Sequence, residues 1–171
     1  GGGPFVGSIV YDLSPEKLGL YFGVPAIGYL LGNFLSGRYS IRFGIDTMIL
    51  WGLWTIFAGL SMSMVCSYIG FGSVESFFGF MLFVGLGNGL CIPNATAGML
   101  SVRPHLAGTA SGLGGSMMIG LGAALSALAG AVLVPNSTEM PLLLLMWISS
   151  LCGVGVILSV QQRNKMLEAS S

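Results

Sequence analysis

The sequence predicts an all-α protein, a polytopic bundle of transmembrane helices, and three observations carry that prediction. Hydrophobic residues make up 54% of the chain and charged residues only 7%, with a mean hydropathy of +0.88. A water-soluble domain carries roughly 25% charged residues because its surface faces water, so most of this surface faces something else. The apolar residues fall into five runs, each close to the roughly 20 residues that a helix needs to cross a hydrocarbon core. Basic residues gather in alternate breaks between those runs. Glycine, 28 of 171 residues, would weaken soluble helices but lets membrane helices approach closely where lipid gives no reward for apolar association.

Taken in order, residues 1–10 are apolar but too short to span and read as the end of a helix whose start lies upstream. The Gly-Gly-Gly-Pro beginning has neither an initiator Met nor the charged region of a signal peptide. Ser14 as N-cap, Pro15 as first helical residue and Glu16 in the first turn start the next helix. Its apolar run covers residues 18–36 and leads into a short basic loop, residues 37–44. A second span covers residues 45–66, with Trp51 and Trp54 near its start. A weakly polar link, residues 67–76, leads to a third span at 77–100 that contains Pro93 and Asn94. Pro104 is suited to open the fourth span, residues 106–134, which is rich in Gly, Ala and Ser. The turn at 135–141 and a fifth span at 142–160 follow, then a polar tail at 161–171.

Charge sets the orientation. Successive breaks lie on opposite sides, so Arg38, Arg42, Arg103, Arg163 and Lys165 share one side and Lys17 alone occupies the other. The positive-inside rule places the five, and the C-terminus, in the cytoplasm. Zero net charge without a basic run excludes nucleic acid as a partner.

No Asp, Glu, Lys or Arg lies centrally in a span, so a proton-coupling carboxylate would sit near a helix end or outside this sequence. Phe22, Tyr29 and Asn33 share one helical face. They form either a cavity wall for amphipathic molecules or a packed interhelical stripe. Asn88, within Gly85–Gly89, is a local polar site amid close-packing glycines. The glycine pattern there lacks the strand and acidic residue of a dinucleotide site. Pro93 frees a carbonyl around position 89, Asn94 could help satisfy the opened turn, and the proline marks either a hinge or a fixed bend. Gly108 and Gly112 form a GxxxG face that suits sliding or tight static packing.

Enzymatic chemistry finds no machinery. Ser111 and Ser116 have no histidine in a span, and the one histidine, His105, lies in a loop. Cys66, Cys91 and Cys152 lack metal-ligand spacing and read as buried apolar thiols. No catalytic residue, metal or cofactor is expected. The tripeptide Asn136-Ser137-Thr138 matches a glycosylation pattern, and no function is assigned to it.

Three segments resemble the major facilitator superfamily, and most closely its Bcr/CflA group of drug-resistance transporters. Residues 28–44 (GYLLGNFLSGRYSIRFG) resemble the eighth helix and following loop, 87–97 (GNGLCIPNATA) the tenth helix, and 103–113 (RPHLAGTASGL) the start of the eleventh. The resemblance implies that residues 1–171 form the C-terminal six-helix half of a twelve-helix transporter, from late helix seven through helix twelve, whose N-terminal half is the missing partner. It further implies export of drugs or small metabolites across a bacterial inner membrane by alternating access, with protons as coupling ion and two halves rocking about a midplane site. Carried over by position, Phe22, Tyr29, Asn33, Asn88, Ser116 and Met117 line the substrate cavity. Arg38 and Arg42 match the basic positions of the loop that latches the cytoplasmic side, although Ser36-Gly37 replaces an acidic residue common there in the other half. A competing reading is a small homo-oligomeric bundle acting as a channel or assembly partner through its fourth span.

Overall fold

The computed structural model describes residues 2–101, 104–133 and 138–169, with side chains described as far as Met166. Helix α1 (Gly2–Phe5) runs directly into a π-helical turn, Val6–Val10. Then come α2 (Pro15–Phe43), α3 (Ile45–Tyr68), α4 (Val74–Ser101), a 3₁₀ turn (Pro104–Leu106) leading into α5 (Ala107–Val132), and α6 (Met140–Ala169). Among the described residues there is no strand, and five helices are long and apolar enough to cross a membrane. The protein is an all-α polytopic membrane protein.

Local chemistry places the helix ends. Ser14 Oγ accepts the Lys17 N–H at 3.5 Å, with Pro15 and Glu16 in the first turn, as the sequence predicts. Ser73 and Ser76 exchange side chain to backbone bonds of 3.2 and 2.9 Å, closing a capping box at the start of α4. Gly44, at φ +84°, is the one residue between α2 and α3 and takes a backbone conformation that L side chains rarely adopt.

Two expected boundaries move. The basic segment 37–44 is not a loop: α2 continues through Arg38 and Arg42 to Phe43, and the Gly44 N–H closes on Ser40. Gly37 alone does not break the helix, and long polar side chains reach water without unwinding the backbone. The tail, likewise, is helical as far as Ala169.

Glycine decides how the helices pack. Helix α4 lies between α2 and α3 and is the most buried of the spans. A methyl group on Gly28 or Gly32 of α2 would overlap the Leu82 or Leu86 carbonyl of α4. One on Gly85 or Gly89 would strike the Pro25 or Tyr29 carbonyl of α2 in return. These two small-xxx-small pairs bring the backbones into contact, the arrangement that dispersion favours when lipid surrounds both helices. Gly87 meets Gly52 across the other side of α4, so one helix carries two seams. A core of Leu60, Phe77, Phe78 and Leu143, joined by Ala129 and Leu133 of the α5 end, fills the space between.

Helix α5 is the least covered span, and Leu113, Ile119, Leu121 and Leu128 lie open along it. An apolar surface of this extent is untenable in water and unremarkable in lipid. The thiols differ from expectation: Cys66 and Cys91 are half-buried, and Cys152 is exposed on the outside of α6. Free cysteine behaves as a small apolar group, so a lipid-facing position suits it as well as a core one.

Candidate functional site

A cavity of about 500 Å³ opens at the centre of the bundle, within reach of all six helices. Phe22 and Pro25 reach it from α2, Leu53, Ile56 and Leu60 from α3, and Phe77, Phe78, Met81, Val84 and Asn88 from α4. Leu125, Ser126 and Ala129 of α5 and Leu142, Met146, Ser149 and Ser150 of α6 close it. One wall is aromatic. Phe22 meets Phe78 edge-on at 5.6 Å between centroids, Phe77 meets Phe78 at 5.2 Å, and Tyr11 meets Phe77 at 5.9 Å.

The polar groups of the wall are an amide and hydroxyls, with no charged side chain among them. Ser149 and Ser150 donate to the Leu145 and Trp147 carbonyls, each at 2.8 Å. Asn33 and Asn94 are likewise tied to carbonyls one turn back, at 2.9 and 2.7 Å. The carboxamide of Asn88 and the hydroxyl of Ser126 have no such tie among the described residues. They remain available to whatever occupies the cavity.

Of the residues expected at a substrate site, the structure brings Phe22 and Asn88 to this cavity. Tyr29, Asn33, Ser116 and Met117 do not line it. Tyr29 and Met117 lie on the open surface, 37% and 57% exposed. Ser116, also open, donates to the Leu113 carbonyl at 2.9 Å. Ser126, Met146, Ser149 and Ser150 escaped the sequence reading. A signal for the last two existed, since they are adjacent hydroxyl residues in the middle of a largely apolar fifth span.

Asn94 is 2% exposed and joins two helices: Nδ2 donates to Ser36 Oγ of α2 and to the Leu90 carbonyl, each at 2.7 Å. Asn94 thus donates within the turn that Pro93 opens, to the Leu90 carbonyl, and α4 runs through Pro93 unbroken. Beside this cluster a cleft of about 710 Å³ opens between α2, α3 and α4. Arg38 and Arg42 are exposed at the same end, with the Arg42 guanidinium 5.4 Å from the Phe43 ring centre. Gly108 and Gly112 meet nothing within 4 Å among the described residues. Arg103, Asn136 and Ser137 lie outside the described residues.

The opposite end holds a buried carboxylate. Glu139, 8% exposed, accepts from Ser67 Oγ and lies beside the Tyr11 hydroxyl. Burial first, and then the Glu139 charge, push the Tyr11 phenol well above its ordinary range.

No protein-family model matches the chain, and no solved structure matches it. Two curated proteins do. Over 131 residues the chain is 28% identical to the bicyclomycin resistance protein homolog of Haemophilus influenzae, covering 77% of this chain and 33% of that protein. Over 160 residues it is 24% identical to the uncharacterized MFS-type transporter YdgK of Bacillus subtilis, covering 89% of this chain and 37% of that protein. The chain therefore spans about a third of the length of the curated relatives it matches. The resemblance read from the three sequence segments holds across most of the chain, and neither relative bears an enzyme's name.

Proposed function

Starting from similarity to a bicyclomycin resistance homolog and an MFS-type transporter, we propose that this chain is one half of a secondary transporter that exports drugs or small metabolites. The observation that carries the reading is the central cavity, apolar and aromatic with an untied amide in its wall. Such a pocket binds and releases a small molecule without bond chemistry. Transport then requires only that substrate and coupling ion stabilise two packings of the same helices to different degrees.

The remaining assignments follow. A second, N-terminal six-helix half covers the open faces of α2 and α5, which bring Tyr29, Asn33, Ser116 and Met117 to the interface. Arg38 and Arg42 close the cytoplasmic side, and Pro93, Asn94, Gly108 and Gly112 lie where helices bend or slide. Protons drive exchange across a bacterial inner membrane, with the C-terminus inside, in line with five of the six basic residues falling on one side.

The test is reconstitution of the full-length protein in liposomes under an imposed pH gradient, with a panel of labelled small molecules. Movement of at least one compound that collapses with the gradient is expected. Folded protein that moves none of them overturns the transporter reading.

A further inference from the structure

The cavity also constrains what it holds. We propose that the part of the substrate entering this half is an uncharged, largely apolar body, oriented by a single hydrogen-bonding group on the Asn88 carboxamide. This inference rests on the transporter reading and names the substrate class that reading leaves open.

Three observations support it. First, the size: about 500 Å³ falls within the roughly 300–1,000 Å³ of pockets that hold drug-sized molecules. Second, the wall: Phe22, Phe78, Met81 and Leu125 give it dispersion and aromatic contact, while no lining side chain carries a charge. An ion taken from water into such a place loses its hydration and gains no partner, a cost of several kcal/mol as an order of magnitude. The buried Glu139 gives no help, because its carboxylate is engaged by Ser67 and is absent from the cavity wall.

Third, the untied amide. Asn33 and Asn94 both spend their side-chain N–H on a carbonyl one turn back. Asn88, on the same helix as Asn94, faces the cavity without that bond. A polar group left unpaired in an apolar wall costs free energy until something bonds it. An amide offers both a donor and an acceptor, so it fixes an uncharged hydroxyl, carbonyl or amide of the incoming molecule. Ser126, also untied and on the wall, offers a second, weaker point of contact.

A series of matched triphenyl probes tests this by equilibrium binding to the full-length protein in lipid nanodiscs, with empty discs subtracted. Triphenylphosphine oxide is neutral with one acceptor, methyltriphenylphosphonium is a cation of similar size, and triphenylacetate is the anion. The neutral probe is expected to bind at least about tenfold more tightly than either ion, and Asn88→Leu to weaken it by about tenfold, the value of one hydrogen bond of roughly 1.4 kcal/mol. Leu20→Ala, outside the cavity lining and 79% exposed on α2, is expected to leave it unchanged. Asn88→Ser, which keeps a smaller hydrogen-bonding group, is expected to fall between. Either ion binding as tightly as the neutral probe, no neutral binding above empty discs, or neutral binding undiminished in folded Asn88→Leu each overturns the proposal. The assay uses no gradient, so its failure alongside gradient-driven transport would remove the substrate class and leave the transporter standing.

Discussion

At the scale of single residues, the chain shows what a polar side chain in an apolar helix is for. Asn88 and Asn94 sit six positions apart on α4, yet one is left free at a cavity and the other ties two helices. The existence of both polar sites was legible in the sequence, because an amide inside an apolar run needs a reason. Their roles were not, since the partner of Asn94 is Ser36, 58 residues away, and only tertiary pairing brings them together. Replacing Asn94 with Leu removes both of its bonds and leaves Ser36 without that donor. We expect a loss of about 1–2 kcal/mol, in the range for interhelical hydrogen bonds in membranes, read as a lower unfolding midpoint in detergent. Ser36→Ala added to that variant should cost little more, because the shared contact is already gone.

At the scale of elements, glycine means different things on different helices. Periodicity made the spans visible, and Ser14-Pro15-Glu16 marked one helix start correctly, but polarity misplaced the end of α2 because hydropathy falls before the helix does. Nor could small-residue patterns alone say which GxxxG face is in contact. Gly28 and Gly32 of α2 meet α4, whereas Gly19 and Gly23 of the same helix and Gly108 and Gly112 of α5 meet nothing within 4 Å among the described residues. Gly85→Ala pushes a methyl group into the Pro25 carbonyl, a backbone atom that cannot swing aside. We expect a loss of about 1–3 kcal/mol, typical of overpacking. Gly112→Ala meets open space among the described residues and gains helix propensity of up to about 1 kcal/mol. Unfolding of the purified chain in mixed micelles should thus order the variants Gly112→Ala, wild type, Gly85→Ala from most to least stable.

At the scale of the whole molecule, α2, α4 and α3 form one slab held by backbone contact through both sides of α4, while α5 is seated differently. Its C-terminal end is fixed by Ala129 and Leu133, each 4% exposed in the core. Toward its start the contact is the flexible Met99 side chain against Gly114. Spin labels on Phe34 of α2 and Met62 of α3, both exposed within this chain, should therefore keep their separation when triphenylphosphine oxide binds the full-length protein. A pair on Phe34 and Leu113 of α5 should change. Mechanically, α5 is a lever, packed at its root and held at its start through the short Pro104–Leu106 turn that follows α4. The 21 residue steps from Gly108 to Ala129 make an arm of roughly 30 Å at about 1.5 Å per residue. A tilt of about 10° at the root would carry the tip some 5 Å, by the same estimate, so a shift of under an ångström among the side chains around Ala129 would be magnified several-fold at the far side of the bilayer.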